Sequence, residues 1–399
     1  MPSIKRQVFS LFLGKLISML ILILLPIVLV RIMEKHDYGL YQQGILIVNF
    51  LGGFFVFGIS SSFYYFYRIV DSKDRDQLIW QSNFILFILA LLFIILYYFL
   101  NSYLVLLVNN DNISSLVLPL GVGILFFILS DPIEHLFVVE EKPKSVVVLL
   151  VFQGVFKALL IIGAFIYFKT LNLLFWSLAL FYFLKFIIYQ IYLLKNYWNN
   201  KIFINWKGSL LKKQIKYTYP LGLGNIVGII GERIDKFILT AYFTSSDFAM
   251  YSVAQFRIPI VSLIFPAVSN VIGPQIAICS KNNNIEEALR LWHKIIIKFS
   301  LVVIPFTIYS IFTAEELITL LYTEDYISAA YLYQIFLLTF FMQMLSRGII
   351  LSSFGFTQYL FRIKLISMIF SVVLSFILIP NYGLFGAALS YVIIFYFGG

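Results

Sequence analysis

Charged residues are scarce in this chain. Of its 399 residues, 12% are Asp, Glu, Lys or Arg and 61% are hydrophobic, with a mean hydropathy of +0.95. Soluble domains contain roughly 25% charged and 45–50% apolar residues. So few charges could not cover such an apolar chain with a polar surface. The composition therefore excludes a soluble enzyme, a nucleic-acid-binding protein and a disordered chain, and a polytopic membrane protein remains.

Cysteine and histidine are also rare, with one Cys (Cys279) and three His. A single cysteine cannot form an internal disulfide, and no Cys, His or carboxylate trio has the spacing of metal ligands. The sequence also lacks a phosphate-binding loop, a nucleophile elbow and a cleavable signal peptide. We therefore predict a protein that is not an enzyme and that binds no metal and no cofactor.

Long hydrophobic runs dominate the sequence instead. A membrane-spanning helix needs about 20 apolar residues, and runs such as Phe84–Leu100 lack the alternation of barrel strands. The fold class we predict is all-α and integral to the membrane, with about 12 transmembrane helices. The predicted spans are 7–30, 41–66, 80–100, 115–139, 145–168, 171–194, 217–242, 248–278, 295–313, 327–353, 359–379 and 383–399.

The distribution of Lys and Arg fixes the expected orientation. With the N-terminus in the cytoplasm, nineteen of the 29 cations lie in cytoplasmic segments and three in outer segments. The opposite orientation would violate the positive-inside rule. We predict a multi-pass membrane protein with a cytoplasmic N-terminus. The segment 284–298, with Asn284 as a possible N-cap, is either a helix on the inner surface or an extension of the ninth span.

A short motif recurs at an offset of 210 residues. Asp37–Tyr41 (DYGLY) follows the first span and Asp247–Tyr251 (DFAMY) follows the seventh, while Leu174-Phe175 and Leu384-Phe385 open the sixth and twelfth spans. Because six spans separate the two copies, both copies have the same orientation in the membrane. This pattern predicts a parallel pseudo-two-fold repeat.

The repeat predicts two lobes of six helices around a central cavity. The N-terminal lobe is residues 1–195, the C-terminal lobe is residues 217–399, and a basic cytoplasmic linker at 196–216 joins them.

Eleven charged residues fall inside the predicted spans. Such residues are costly in lipid and are expected to face protein or water. The seven cations are Lys15, Lys157, Lys185, Arg233, Lys236, Arg257 and Arg347, and the four anions are Asp131, Glu134, Glu232 and Asp235. The excess of three positive charges favours an anionic ligand such as a phosphate or pyrophosphate. Snorkelling to the interface explains Arg347 and is an alternative for Lys15. The carboxylates are candidates either for coupling to protons or Na⁺ or for simple counter-ions.

The number of residues between a charged residue and the turn that joins two spans gives its depth in the membrane. Charged residues at similar depths on neighbouring spans are expected to pair. Glu232 and Arg257 lie at similar distances from the turn between the seventh and eighth spans, so we predict a pair between Arg257 and Glu232 or Asp235. Asp131 lies eleven residues before Lys142, in the turn between the fourth and fifth spans, and Lys157 lies fifteen residues after it. The difference in depth is about 6 Å, much of which a lysine side chain could bridge, so we predict that these two residues pair. A purely structural role for these buried pairs is the alternative.

Six segments between residues 217 and 390 carry a family resemblance. They are Tyr219–Gly222, Glu232–Leu239, Met250–Ala254, Ala314–Ile318, Tyr326–Ala330 and Ile379–Ala388. In these segments the chain resembles bacterial polysaccharide flippases that move O-antigen or capsule repeat units (Wzx-type), within the multidrug/oligosaccharidyl-lipid/polysaccharide exporter superfamily. The resemblance implies a protein of the bacterial inner (plasma) membrane. It also implies translocation of an undecaprenyl-pyrophosphate-linked oligosaccharide from the cytoplasmic to the periplasmic leaflet by alternating access.

The expected site follows from the charges and the resemblance together. The expected partners are the lipid-linked oligosaccharide, membrane lipid and other polysaccharide-assembly membrane proteins, but not nucleic acid, and a proton or Na⁺ gradient would supply the energy. The expected cavity residues are Lys15, Lys157, Lys185, Arg233, Lys236 and Arg257, and the expected coupling residues or counter-ions are Asp131, Glu134, Glu232 and Asp235. Two alternatives are a drug or cation antiporter of the same superfamily and a polysaccharide polymerase.

Overall fold

The computed structural model is helical nearly throughout. It describes residues 18, 20–21, 23–71, 74–108, 111–197, 208–256, 275–276, 278–279, 284–345, 351, 354 and 356–398, and these residues contain no strand. The helices are α1 Ile23–Ile32, α2 Lys35–Val56, α3 Phe63–Ile69, α4 Arg75–Val108, α5 Val117–Ser130, α6 Pro132–Val139, α7 Pro143–Val151, α8 Lys157–Phe168, α9 Leu171–Tyr197, α10 Gly208–Tyr242, α11 Ser245–Ala254, α12 Ile285–Phe312, α13 Ala314–Tyr322, α14 Ala330–Leu337, α15 Thr339–Gln343 and α16 Thr357–Gly398.

The predicted all-α membrane fold is confirmed. Each of the predicted spans overlaps a described helix, and eight described segments are long and apolar enough to cross a membrane. The last two spans lie within α16, which is interrupted at Gly383 (φ 60°, ψ −137°). Glycine adopts this positive φ without a steric penalty, so the break falls where the sequence separates the two spans.

Local sequence sets several other helix ends. Pro143 occupies a first-turn position of α7, where the missing N–H costs no hydrogen bond. Pro132 begins α6 directly after the end of α5. Thr244 and Asp247 form a reciprocal capping box at the start of α11. Between α7 and α8, a five-residue π-turn at Phe152–Phe156 changes the face that later side chains present.

Helix α12 shows whether segment 284–298 is a separate surface helix or an extension of the ninth span. This helix continues without interruption from Ile285 to Phe312, and the side chain of Asn284 caps it by accepting a hydrogen bond from the Glu287 N–H at 3.1 Å. The segment is therefore an extension of the ninth span.

The described chain forms two compact units. Unit 1 comprises Met1–Ile32 and Gln43–Ile229, and unit 2 comprises Met33–Gln42 and Ile230–Gly399. Helix α10 begins within the segment expected to be a linker and contributes residues to both units. The predicted division into lobes 1–195 and 217–399 stays a prediction.

A buried polar network attaches the first part of α10 to the rest of unit 1. The Gln214 amide nitrogen donates to the hydroxyls of Ser62 (2.8 Å) and Ser82 (2.7 Å), and its oxygen accepts from Gln81 (2.7 Å). All four side chains are buried. Since buried amides are costly unless they are hydrogen-bonded, this network fixes the rotation of α10.

In unit 2 the first copy of the repeated motif touches the backbone just before the second copy. A Cβ atom placed on Gly39 would lie 1.8 Å from the backbone oxygen of Ser245, at the start of α11. Nearby, the ring of Tyr38 packs edge-on against that of Tyr326, with centroids 6.3 Å apart. Glycine in the first copy therefore permits a backbone contact that no other residue would allow.

Candidate functional site

In unit 1 the candidate site is centred on a break between two helices. Asp131 ends α5 and immediately precedes Pro132, the first residue of α6. Proline has no N–H and cannot continue the hydrogen-bond ladder of α5. The sequence thus places a carboxylate at an interruption in the middle of a predicted span.

Five ionisable side chains gather around this break. The Oδ2 atom of Asp131 lies 3.9 Å from Nε2 of His135, one turn later on the same face. Lys185 on α9 is 9% exposed and is subject to the charges of Asp131, Glu134 and Lys157. We call Asp131, Glu134, His135, Lys157 and Lys185 the Asp131 cluster. It brings together four residues that the sequence singled out, from three predicted spans.

The predicted pairing of Asp131 with Lys157 is wrong. The Nζ atom of Lys157 lies over the ring of Tyr182 on α9, 5.6 Å from its centroid. Among the described residues, the side chain within ion-pair distance of Asp131 is the imidazole of His135. Lys157 directly follows the π-turn at Phe152–Phe156, so a depth count based on regular α-helix does not predict its direction.

Tyrosines and an amide complete the surroundings of the cluster, and sequence reasoning missed them. The ring of Tyr64, which is 49% exposed, lies 5.3 Å from the ring of His135. Tyr189 is fully buried beside Asn83 and within the field of Asp131. Tyr189 follows Lys185 by one turn, so helical spacing was a usable signal for it. Nothing in the sequence indicated Tyr64.

Unit 2 holds a second charged segment on α10. Asp235 is 2% exposed, and its Oδ2 atom accepts a 2.5 Å hydrogen bond from the buried hydroxyl of Tyr251 on α11. Arg233 is partly buried near Glu232 and Asp235, whereas Glu232 is exposed. Lys236 acts electrostatically on Asp235. The predicted eighth span therefore does supply a partner for Asp235, but the partner described in the structure is Tyr251. The partner expected from the sequence was Arg257.

The other predicted site residues, Lys15 and Arg257, lie outside the described residues, as does Arg347. The expected pairs of Arg257 stay predictions. Among the described site residues, each unit has two cations and two carboxylates. The predicted excess of three positive charges therefore rests on residues that the structure does not describe.

A separate polar cluster lies at one end of unit 1. The hydroxyls of Tyr192 and Tyr197 on α9 donate to the Glu140 carboxylate, whose side chain is 4% exposed. Lys142 Nζ lies 2.7 Å from Glu140 Oε2 and 2.5 Å from the Tyr192 hydroxyl. We call Glu140, Lys142, Tyr192 and Tyr197 the Glu140 cluster. It joins the α6–α7 turn to the end of α9.

Metal-ligand geometry is not found in the part of the chain that the structure describes. Groups of three or more His, Cys, Asp or Glu that could hold a metal ion are absent there. The chemistry available at the site is therefore that of ammonium, carboxylate, imidazole and phenol groups.

Comparison with known proteins shows which group this chain resembles. The family model described as "Polysaccharide biosynthesis protein" matches residues 4–280. The "Capsular polysaccharide biosynthesis protein CapF" of Staphylococcus aureus is 24% identical over 384 residues, which is 95% of this chain and 93% of that protein. This relative is a capsular protein, so the comparison does not favour the O-antigen branch that the resemblance left open.

Solved structures show the same fold. The lipid II flippase MurJ, in an inward closed conformation, matches with a TM-score of 0.74 at 16% identity over 98% of this chain and 85% of that chain. An inward-facing multidrug resistance MATE family transporter of the MOP superfamily matches with a TM-score of 0.65 at 12% identity over 95% and 91% of the two chains. At 16% and 12% identity, these likenesses show a shared fold.

Proposed function

The chain belongs to the polysaccharide biosynthesis protein family, and on that premise we propose that it flips a lipid-linked oligosaccharide across the bacterial inner membrane. The proposed substrate is an undecaprenyl-pyrophosphate-linked repeat unit, which moves from the cytoplasmic to the periplasmic leaflet. The N-terminus lies in the cytoplasm. The structural likeness to a lipid II flippase supports a fold suited to this task.

The burial of Lys185 is the observation that carries the proposal. This lysine lies in the middle of the spanning helix α9 and is 9% exposed. A lysine at the centre of a membrane costs at least about 2.5–3.5 kcal/mol. A cost of this kind is expected where a charge serves a substrate pathway, and the carboxylates of Asp131 and Glu134 offset it in the resting protein.

The Asp131 cluster suggests how a pyrophosphate would be bound. Lys185 and Lys157 are the cations, and a pyrophosphate would compete with Asp131 and Glu134 for them. The exposed ring of Tyr64 lies beside His135 and offers an aromatic face for a sugar ring. Alternating access would then bind and release the head group on opposite sides of the membrane.

A transport assay in liposomes tests this proposal. The protein is reconstituted with a fluorescent undecaprenyl-pyrophosphate-linked oligosaccharide, and the fraction accessible to an external quencher is followed with time. We expect Lys185→Met to slow flipping at least about tenfold, because the cation that meets the pyrophosphate is lost. Lys195→Met, at the exposed end of the same helix, is the matched control. A wild-type rate in Lys185→Met would contradict the proposal.

Asp235 is the residue we propose for coupling to a proton or Na⁺ gradient. It is buried, and its described hydrogen-bond donor is the neutral Tyr251. A small cavity lined in part by Gln255 and Phe336 is large enough for water, and the ring of Phe336 packs against that of Tyr251. Asp235→Asn should abolish the dependence of flipping on an imposed gradient. Unchanged gradient dependence would leave Asp235 with a structural role.

A drug or cation antiporter is the second candidate. The observation in its favour is the presence of carboxylates near the middle of the spans, together with the fold shared with a MATE transporter. Export of a cationic dye by proteoliposomes that do not flip the oligosaccharide would select this candidate.

A further inference from the structure

The exposed face of α12 changes from basic to apolar along the helix. Its first part exposes Arg290, His293, Lys294 and Lys298, which with Leu289 and Ile297 line one shallow groove. From residue 301 onward, exposed side chains on this helix are apolar, including Leu301 (71% exposed), Tyr309 (63%) and Phe312 (82%).

The spacing of the cations places them in one row. Arg290, Lys294 and Lys298 follow one another at intervals of four residues, so their side chains project from the same side of the helix. The opposite side of α12 is buried through Ile295 and Phe299. The basic row is therefore the surface that α12 presents to its surroundings.

The length of α12 places this row at the edge of the bilayer. With 28 residues the helix is about 42 Å long, whereas the hydrocarbon layer is about 30 Å thick. If Phe312 lies near one boundary of the hydrocarbon, the first eight or so residues extend past the other. Arg290 then lies beyond that boundary, whereas the backbones of Lys294 and Lys298 lie about 3 Å and 9 Å inside it. Their long side chains extend along the helix surface toward the lipid phosphates.

Apolar side chains within the basic row favour lipid over water. Ile297 is 60% exposed and Leu289 39% exposed, each next to a cation. Such a mixed face fits a lipid whose phosphate meets the cations while its acyl chains cover the isoleucine and leucine. Carboxylates are also present, since Glu286 borders the groove and Glu287 lies 3.5 Å from Arg290 in an exposed pair. Lys294 and Lys298 lie farther along the row from both glutamates.

We propose that the Arg290–Lys294–Lys298 row is a binding surface for an anionic phospholipid of the surrounding bilayer. The phosphate of the headgroup contacts the ammonium and guanidinium groups, and the acyl chains lie along Ile297 and Leu301. Each cation near an anionic lipid surface contributes a factor of about five in affinity. The bound lipid holds the end of α12 at the membrane surface. This binding is independent of the proposed transport function.

Native mass spectrometry of the detergent-purified chain tests the proposal. Phosphatidylglycerol or phosphatidylcholine is added, and the bound lipids per protein are counted. We expect wild-type protein to prefer phosphatidylglycerol at least about tenfold. The triple variant Arg290→Gln/Lys294→Gln/Lys298→Gln should lose this preference, while Lys294→Arg/Lys298→Arg should retain it.

A scattered triple variant is the matched control. Arg68→Gln/Lys195→Gln/Lys364→Gln removes the same net charge from exposed positions on three other helices and should keep the preference. Gel filtration confirms that each variant is folded. The proposal is overturned by equal binding of the two lipids to wild-type protein, by a preference that survives in the row variant, or by equal loss in both triple variants. Displacement of phosphatidylglycerol by equimolar undecaprenyl phosphate would also overturn it, by assigning the surface to the transported lipid.

Discussion

The hydroxyl of Tyr251 donates a 2.5 Å hydrogen bond to Oδ2 of Asp235, and both side chains are buried. Asp235 lies on α10 and Tyr251 on α11, so the bond joins two successive helices of unit 2. A buried carboxylate needs donors to offset its lost hydration. The other carboxylate oxygen, Oδ1, has no hydrogen-bond partner in the described part of the chain. The hydrogen bond from Tyr251 therefore supplies much of the stabilisation that offsets the lost hydration of the Asp235 carboxylate.

Removing the donor should destabilise unit 2. We expect Tyr251→Phe to lower the free energy of unfolding by about 1–3 kcal/mol, because a buried acceptor loses its partner. Thermal unfolding in detergent, followed by circular dichroism, measures the change. In an Asp235→Asn background the same Tyr251→Phe substitution should cost less. Equal costs in the two backgrounds would show that the hydroxyl and the carboxylate are not coupled.

The contact between Gly39 and the backbone of Ser245 predicts a position that accepts only glycine. Gly39→Ala would place a methyl group 1.8 Å from the backbone oxygen of Ser245, and backbone cannot move aside as a side chain does. We expect a loss of about 1–3 kcal/mol or more in stability. Gly163→Ala is the control, since no atom lies within 4 Å of a Cβ there. Alanine in that helix should be neutral or stabilising by up to about 1 kcal/mol. A melting temperature for Gly39→Ala equal to that of the control would refute the close contact.

The hydrogen bonds of Gln214 predict that replacing this one side chain lowers the stability of the protein. Gln214→Ala should destabilise the protein by about 1–3 kcal/mol, because the buried amide nitrogen of Gln81 loses its acceptor. The hydroxyls of Ser62 and Ser82 lose the bond from Gln214 but still donate to the backbone oxygens of Ile59 and Leu78. Lys213→Ala, at the adjacent exposed position, should have little effect. Chemical denaturation of both variants in the same detergent provides the comparison, and similar midpoints would argue against the network.

The raised pKa of Lys142 predicts that the stability of the protein depends on pH in the alkaline range. Burial lowers the pKa of this ammonium group, but its hydrogen bonds to Glu140 and Tyr192 and the charge of Glu140 outweigh burial and leave the pKa raised. In the unfolded chain the pKa of lysine is about 10.4. The stabilisation is therefore complete below that pH and is lost as the pH rises through the higher folded-state value.

The measurement compares Lys142→Gln with Lys144→Gln, an exposed neighbour. The difference in melting temperature between wild type and Lys142→Gln should be constant from neutral pH to about pH 10 and shrink above it. Lys144→Gln should show no such trend. A difference that grows with alkaline pH would mean that the pKa of Lys142 is lowered in the folded protein.

Some features of the site could be predicted from the sequence because they depend on local spacing or on composition. The cost of a charge in lipid identified Asp131, Glu134, Lys157 and Lys185 without any structure, and the structure brings these four together. The pairing of Asp131 with Lys157 failed because it assumed a regular helix through residues 152–156. Apolar runs and capping residues identify spans and helix ends in a sequence, but a π-turn has no signature as strong as these. The direction of the Lys157 side chain could therefore not be derived from the sequence.

The sequence by itself determined the all-α membrane fold, the positions of the spans and the cap of α12. The fold class follows from the composition of the chain. The spans follow from the length of apolar runs, and the cap follows from the residue type at the helix end, so both depend only on residues close together in the sequence. Only the tertiary structure decided that Tyr251 meets Asp235, that Tyr64 lies beside His135, and that Gly39 touches Ser245. Contacts between distant segments depend on helix rotation and packing, which the hydrophobic pattern of a membrane helix leaves open because lipid and protein interior are almost equally apolar.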